Sequence, residues 1–124
     1  MPLYTIATQV GVLDDGAKAS LADQLTTLHS TYASVPKNWV HVVFHEYQIG
    51  SGFTAGQPAA TASLTLLIRT GRSADYKQEL LARLWRLLQA ATGAADDQIV
   101  LGIQELPASQ AMEMGRFMPN VAES

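Results

Sequence analysis

The sequence has no cysteine, no long apolar run and few basic residues. The absence of cysteine among its 124 residues excludes disulfides, thiol catalysis and zinc ribbons. No apolar stretch approaches the roughly 20 residues that a membrane helix requires, and the N-terminus lacks the pattern of a signal peptide. Lysine and arginine total eight and form no run, which argues against nucleic acid as a partner. We therefore expect a cytoplasmic protein that binds neither membrane nor nucleic acid.

The composition is that of one ordered domain. Hydrophobic residues make up 48% of the chain and charged residues 15%, with a formal net charge of -3, which is typical of a globular protein. A chain of this length is too short for two independent cores. We therefore interpret residues 1–124 as a single domain, built from two halves at about 1–60 and 61–124.

An internal repeat relates the two halves. The matched positions, all separated by the same offset along the chain, are Lys18, Leu21, Leu25 and Leu28 with Lys77, Leu80, Leu84 and Leu87, and Val40, Phe44 and Glu46 with Ile99, Ile103 and Glu105. One ungapped offset across a helix pattern and a strand pattern indicates two copies of a β-α-β unit, because a solenoid needs more copies. Residues 48–60 and 106–124 are interpreted as lying outside the repeat. The second segment is too apolar to be free in water, so we expect it to pack against another part of the protein.

The pattern predicts an α/β fold of the α+β class. Strands are expected at 3–9, 40–47, 63–69 and 99–105. Asp14 and Ser73 are candidate N-caps of the two helices, which we expect to end before Pro36 and at Gly93. Right-handed crossovers then place both helices on one face of a four-stranded sheet.

The strands carry apolar residues on both of their faces. Val42 and Phe44 lie on one face of the second strand, and Val43 lies on the other. Strands of this kind are usually covered on both sides, and one chain has no third layer to supply. We therefore expect the bare face of the sheet to be buried against other protomers in an oligomer.

Pro2 follows the initiator methionine, which is normally removed before a small residue. The mature chain then begins with a free secondary amine. An α-amino group has an ordinary pKa of about 8, within reach of a general base at neutral pH, and burial lowers that pKa further. Two interpretations stay open. In the first, Pro2 is a catalytic amine; in the second, it merely starts a strand. If Met1 is retained, the nitrogen of Pro2 is blocked and the first interpretation is lost.

Arg69 and Arg72 flank a turn between a strand and a helix, in the run Arg69-Thr70-Gly71-Arg72-Ser73. The N-terminal end of a helix is unfavourable for cations unless an anion lies there. The backbone N–H groups of a helix start already favour an anion, and two arginine forks beside them suit a carboxylate. The alternative is a pair of surface arginines, one of them bound to Asp75 or to another acid.

Two further side chains are candidates for chemistry. His29 lies beside the leucine stripe of the first helix, where it could donate a hydrogen bond to a substrate or serve the structure alone. Glu113 lies among methionines. Two interpretations stay open: the apolar surroundings raise the pKa of its carboxyl group so that it acts as an acid or base, or it pairs with Arg116 at a solvated rim. His41 and His45 share a strand face, but no third ligand has suitable spacing. We predict no metal and no cofactor.

These residues together resemble the tautomerase superfamily, and within it the cis-3-chloroacrylic acid dehalogenase group. The resemblance spans nearly the whole chain. It is carried by Pro2-Leu3-Tyr4, Thr27-Leu28-His29, Arg69-Thr70-Gly71-Arg72-Ser73-Ala74-Asp75, Leu106-Pro107-Ala108-Ser109-Gln110 and Glu113-Met114-Gly115-Arg116-Phe117-Met118-Pro119. The Gly-Arg-Ser-Ala-Asp and Gly-Arg-Phe-x-Pro pieces are the more specific of these.

The resemblance implies a β-α-β homotrimer with three active sites. By position, Pro2 matches the catalytic amine of the family and Glu113 matches its water-activating glutamate. His29, Arg69 and Arg72 match the residues that hold the substrate carboxylate.

One position departs from the family pattern. The dehalogenases place a tyrosine on the last strand to help position the water, and the matching residue here is Gly102. Tyr4 and Tyr47 are the candidates to replace that tyrosine. The departure weakens the expectation of efficient dehalogenation and affects proton transfer by proline less.

The leading hypothesis is a proline-based enzyme acting on a small unsaturated or 2-oxo carboxylate. In tautomerisation, neutral Pro2 moves a proton between two substrate atoms. In hydration or in dehalogenation of 3-haloacrylates, protonated Pro2 gives a proton while Glu113 activates water. The alternative hypothesis is a non-catalytic trimeric protein of the same fold that binds a small carboxylate.

Overall fold

The computed structural model describes residues 1–121 and contains two successive β-α-β units, each followed by a short hairpin. The first unit consists of β1 (Leu3–Gln9), α1 (Asp15–Ala33) and β2 (His41–Tyr47), with β3 (Phe53–Thr54) and β4 (Gln57–Pro58) as its hairpin. The second unit consists of β5 (Ala62–Arg69), α2 (Ala74–Thr92) and β6 (Ile99–Leu106), with β7 (Met112–Glu113) and β8 (Arg116–Phe117) as its hairpin. The long strands begin and end within one residue of the predicted positions.

The four long strands form one mixed sheet in the order β2-β1-β5-β6. β1 runs parallel to β2, and β5 runs parallel to β6. The two units join along β1 and β5, which are antiparallel and place Thr5 opposite Thr65. Buried residues of both helices and of the two central strands form a single core. The predicted architecture, with both helices on one face of a four-stranded sheet, is confirmed.

The helices end as the sequence predicts. The Asp14 side chain accepts a hydrogen bond from the Ala17 N–H (2.7 Å), and the Ser73 hydroxyl accepts one from the Tyr76 N–H (3.1 Å). Each bond satisfies a donor that the first turn leaves unpaired. Gly93 closes α2 in the left-handed region, where glycine carries no steric penalty. Both predicted N-caps and the glycine stop are confirmed.

The two units correspond strand by strand as well as helix by helix. Val42 of β2 and Leu101 of β6 are related by the offset of the repeat. Val42 pairs with Tyr4 in the sheet, and Leu101 pairs with Leu64. Tyr4 of β1 therefore corresponds to Leu64 of β5, and both side chains are fully buried.

The repeat also includes the two segments that we interpreted as lying outside it, so that interpretation is wrong. The hairpins β3–β4 and β7–β8 are related by the same offset as the helices. Their turns match residue by residue, with φ of 52° and 74° at Ala55 and Gly56, and 53° and 75° at Met114 and Gly115. Two successive positive φ angles are the signature of a type I′ hairpin turn. Apart from one glycine, the two hairpins share no residue identity, so the sequence comparison did not relate them.

The face of the sheet opposite the helices has no covering layer among residues 1–121. Val43 and Val100 are 43% and 67% exposed. Of the four large apolar residues of the tail, Met112, Met114, Phe117 and Met118, only Met118 is buried, and its N–H donates to the Ala111 carbonyl. The others, Met112, Met114 and Phe117, are exposed, and residues 122–124 lie outside the described residues. Neither described helix has the length and apolar character needed to cross a bilayer.

Candidate active site

A pocket lies where the beginning of β1, the end of α1, the end of β5 and the beginning of α2 meet. Its lining residues are Met1, His29, Ala33, Val35, Ile68, Arg69, Arg72, Tyr76 and Val121. The structure thus brings together His29, Arg69 and Arg72, the three residues predicted to hold a carboxylate. Pro2 is buried next to Met1, and its carbonyl accepts a hydrogen bond from the His41 N–H (3.0 Å).

The two arginines form no ion pair with any acid of residues 1–121. The interpretation that one of them pairs with Asp75 is therefore wrong. Arg69 donates to the Pro119 carbonyl, and the Arg72 guanidinium lies 4.8 Å from the centre of the Tyr76 ring, within the range of a cation–π contact. Burial and the neighbouring Arg72 charge lower the pKa of Arg69. Two adjacent cations with no acid between them make a site that favours an anion.

His29 is a core residue of α1 rather than a neighbour of the core. Its side chain is 4% exposed, and it continues the buried stripe of Leu21 and Leu25. The Tyr4 hydroxyl lies 2.6 Å from His29 Nδ1. Burial, with smaller contributions from Arg72 and from the terminal amine, lowers the pKa of His29 from 6.5 to about 4. The ring is therefore neutral at pH 7.

The terminal amine belongs to the same site. Burial, followed by the positive charge of Arg69, lowers the pKa of the Met1 amine from 8.0 to about 6. This amine contacts the Glu113 carboxylate, so the structure brings the predicted water-activating residue to the amino terminus. The other carboxylate oxygen, Oε2, is buried and has no hydrogen-bond partner among the described residues. Glu113 lies opposite Arg116 in the β7–β8 hairpin but forms no ion pair with it. The alternative prediction, that Glu113 pairs with Arg116 at a solvated rim, is therefore wrong.

Met1 separates the arginine pocket from a second, larger cavity. The space beside Arg69 and Arg72 is about 30 Å³. The second cavity, of about 330 Å³, is lined by Met1, Leu3, His41, Leu67, Met112, Glu113 and Met114. Because Met1 lines both, the residue at the amino terminus lies between the anion site and the Glu113 carboxylate.

Three tyrosines make contacts that the sequence did not predict. Tyr76 lines the pocket, and its ring packs against the Arg72 guanidinium. The sequence feature that could have indicated this contact is the spacing of four residues between Arg72 and Tyr76, about one helical turn. Tyr4 is fully buried against His29, and the Tyr47 hydroxyl donates to the Thr61 carbonyl (2.5 Å). Each hydroxyl thus makes a hydrogen bond within the protein, and a role for either in positioning water stays a prediction.

The fold and this arrangement define a protein of the tautomerase superfamily. The native Ps01740 structure shares 37% identity with this chain, covers 90% of this chain and 99% of its own, and superimposes with a TM-score of 0.86. N1, a member of the cis-3-chloroacrylic acid dehalogenase family, shares 28% identity over 96% of this chain and 85% of its own, with a TM-score of 0.88. The fused 4-OT symmetric trimer, at 20% identity over 93% and 94% of the two chains and a TM-score of 0.83, shares the fold.

A family model described as "Putative oxalocrotonate tautomerase enzyme" (Tautomerase_3) matches residues 1–124. The chain belongs to this family. No curated protein matches the sequence significantly. The resemblance to the tautomerase superfamily and to the cis-3-chloroacrylic acid dehalogenase group is confirmed.

His29 makes the stability of the fold dependent on pH below neutrality. Its pKa is about 4 when folded and ordinarily 6.5, so the unfolded state binds more protons between these values and the free energy of unfolding falls as pH is lowered through this window. The expected contribution of His29 to the free energy of unfolding at pH 7 is about 3 kcal/mol. His29→Gln removes this contribution. In urea unfolding, the difference in the free energy of unfolding between wild type and this variant should therefore shrink from pH 7 to pH 4. His45→Gln, at an exposed position of β2, should keep the wild-type dependence. Parallel stability curves for wild type and His29→Gln would contradict the assignment.

Proposed function

We propose that the chain, after removal of Met1, is a proline-based tautomerase that acts on a small unsaturated or 2-oxo carboxylate. The observation that carries this proposal is the convergence of three features. Arg69 and Arg72 lack an acid partner among residues 1–121, a neutral His29 lines the same pocket, and the terminal amine beside them has a lowered pKa.

The arginines bind the substrate carboxylate. A carboxylate between Arg69 and Arg72 relieves the repulsion between the two guanidinium groups and accepts charge-assisted hydrogen bonds from them. The Tyr76 ring packs against one face of the Arg72 guanidinium. The N–H donors of Arg72 lie in the plane of the guanidinium and therefore remain available to the substrate carboxylate. His29 supplies a further donor from the buried end of the pocket.

Removal of Met1 transfers the free amine to Pro2. Consecutive residues lie about 3.8 Å apart, so the proline nitrogen stays within the environment that lowers the pKa of the Met1 amine, namely burial and the charge of Arg69. A neutral proline nitrogen accepts a proton from one substrate atom and delivers it to a carbon. General acid–base catalysis of this kind contributes about 10²–10⁴-fold to the rate.

Removal of Met1 also supplies the space that a substrate needs. A cavity of about 150 Å³ holds a ligand of benzene size, and the arginine pocket with Met1 in place has about 30 Å³. Without Met1 this pocket opens towards the 330 Å³ cavity that contains Glu113. The carboxylate of the substrate and its reacting carbons then lie between the arginines and Glu113.

Hydration and dehalogenation of a 3-haloacrylate require the opposite charge on the same amine. Glu113 takes a proton from the water whose oxygen bonds to C3, while protonated Pro2 gives a proton to C2. In a 3-haloacrylate the resulting halohydrin then loses its halide and a proton as C3 becomes a carbonyl. The absence of a tyrosine at Gly102 weakens the positioning of that water, so we propose dehalogenation as a low-level activity beside tautomerisation.

We further propose that the protein is a homotrimer. Val43 and Val100 are exposed on the uncovered face of the sheet, and burial of apolar surface of this kind drives association. The fused 4-OT structures of the same fold are trimers.

The first test concerns Pro2. We expect the intact mass of the expressed protein to lack one methionine residue, and Pro2→Ala to lower the turnover of a phenylenolpyruvate-type enol at least tenfold. Tautomerisation should decline as pH falls through the pKa of the amine, because a proton acceptor is required. Pro58→Ala, in the exposed β4 strand, is the matched control. An unchanged turnover in Pro2→Ala would exclude the base assignment. A retained Met1, together with carboxylate binding and no turnover, would favour the non-catalytic binding protein.

The second test concerns Arg72. Hydrogen bonds to charged groups contribute about 1.5–3 kcal/mol, so Arg72→Ala should raise KM for the same enol about 10- to 100-fold and lower kcat less. Arg86→Ala removes an exposed arginine from the outer side of α2 and should leave KM unchanged. Equal KM values for both variants would show that the carboxylate binds elsewhere.

The third test concerns Gly102. A Cβ atom at this position meets no other atom of the chain within 4 Å. Gly102→Tyr should increase halide release from cis-3-chloroacrylate about tenfold, because the phenol hydroxyl orients the attacking water. Gly102→Phe supplies the ring without the hydroxyl and is the control. Equal halide release by the two variants would contradict a water-positioning role.

A further inference from the structure

Tyr4 and His29 form a buried polar pair within the hydrophobic core. Tyr4 is fully buried in β1, His29 is 4% exposed in α1, and the Tyr4 hydroxyl lies 2.6 Å from His29 Nδ1. The two rings meet edge to face, with their centres 5.5 Å apart. His29 also lines the arginine pocket, so the ring connects the core with the site.

The direction of this hydrogen bond follows from an account of the protons. Burial raises the pKa of the Tyr4 hydroxyl, so Tyr4 keeps its proton. No other hydrogen bond of that hydroxyl occurs among residues 1–121. If His29 Nδ1 carried the proton and donated, the tyrosine proton would be left without an acceptor in the core, at a cost of about 1–3 kcal/mol. Tyr4 therefore donates and Nδ1 accepts. Because a neutral imidazole carries one proton, that proton is on Nε2.

We propose that Tyr4 is a positioning residue, which fixes His29 as the Nε2–H tautomer so that its second nitrogen is a permanent hydrogen-bond donor to a substrate oxygen in the arginine pocket. The identity of the ligand rests on the proposed function; the tautomer does not. In this arrangement His29 binds and orients the substrate and takes no part in proton transfer, which stays with the amine.

The second unit of the fold shows that packing alone does not require this pair. Tyr4 corresponds to Leu64, and His29 corresponds to Leu88 by the offset that relates the two helices. Both leucines are buried, with 1% and 0% of their surface exposed. The same sheet–helix contact is thus made with two apolar side chains in the second unit and with a hydrogen-bonded pair in the first unit, where His29 lines the pocket.

The surrounding charges favour a neutral donor at this position. Arg72 and the terminal amine both act on His29 as positive charges and disfavour an imidazolium. A neutral N–H donor beside two guanidinium groups suits an oxygen that accepts hydrogen bonds without a full negative charge. The second oxygen of the carboxylate or the adjacent 2-oxo oxygen of the substrate is of this kind. The Nε2–H donor thus suits either oxygen of the small carboxylate that the proposed function names.

The tautomer is read directly by ¹⁵N NMR of histidine-labelled protein, in which the two ring nitrogens have distinct shifts and proton couplings. The His29 signals are assigned by their loss in His29→Gln. We expect wild type to show the Nε2–H tautomer of His29 from pH 6 to pH 8. Tyr4→Phe should shift His29 towards the Nδ1–H tautomer or a mixture. Tyr47→Phe also removes a phenol that donates to a protein group, the Thr61 carbonyl, and should leave the His29 signals unchanged.

Kinetics with the phenylenolpyruvate-type enol supply the second readout. Tyr4→Phe should lower kcat/KM about tenfold, mainly through KM, with no displacement of the pH profile, because the amine is untouched. Tyr4→Leu introduces the residue of the second unit and serves as the second variant if Tyr4→Phe does not fold.

The outcomes separate the two proposals. An Nδ1–H tautomer in wild type, or an unchanged Nε2–H tautomer in Tyr4→Phe or Tyr4→Leu, overturns the role of Tyr4 whatever the activity. If wild type turns over none of the enol, the proposed function fails, and the tautomer of wild type and variants still decides the assignment of Tyr4.

Discussion

The repulsion between two adjacent guanidinium groups is the constraint on which the site depends. Arg69 ends a central strand and Arg72 comes just before the N-cap of a helix, so the sheet and the helix cap fix both at one end of the molecule. Gly71 makes the turn between them at a φ of 135°, a conformation open to glycine. With no acid of residues 1–121 beside them, the two cations favour an anionic ligand.

Duplication of a β-α-β unit explains how one chain has both a stable core and a specialised site. The two halves repeat their helices, their paired strands and even their hairpin turns. They differ where the first half meets the arginine pocket. There His29 and Tyr4 occupy the positions that two leucines occupy in the second half, so a hydrogen-bonded polar pair lies in the core beside the pocket.

The sequence predicted the features that local chemistry determines. Helix caps at Asp14 and Ser73, the arginine turn and the amphipathic stripes all depend on neighbours within a few residues. The Tyr4–His29 bond spans 25 residues, and each residue by itself matches a strand or helix pattern, so no local signal connects them. The relation of the hairpins was missed for a different reason. Their backbone angles need a single glycine, and the other side chains were free to diverge.

The correspondence of the two units has a consequence for the number of α-amines in the chain. Pro2 matches Ala62, because the first strands of the two units correspond in the same register that relates Tyr4 to Leu64. The nitrogen of Ala62 is bonded to the carbonyl of Thr61, and an amide nitrogen has no basic lone pair. Joining the two units in one polypeptide therefore leaves the second without an α-amine of its own. At the equivalent location of the second unit, Leu64 and Leu88 take the places of Tyr4 and His29, and the Thr61 hydroxyl donates to the Gln98 carbonyl.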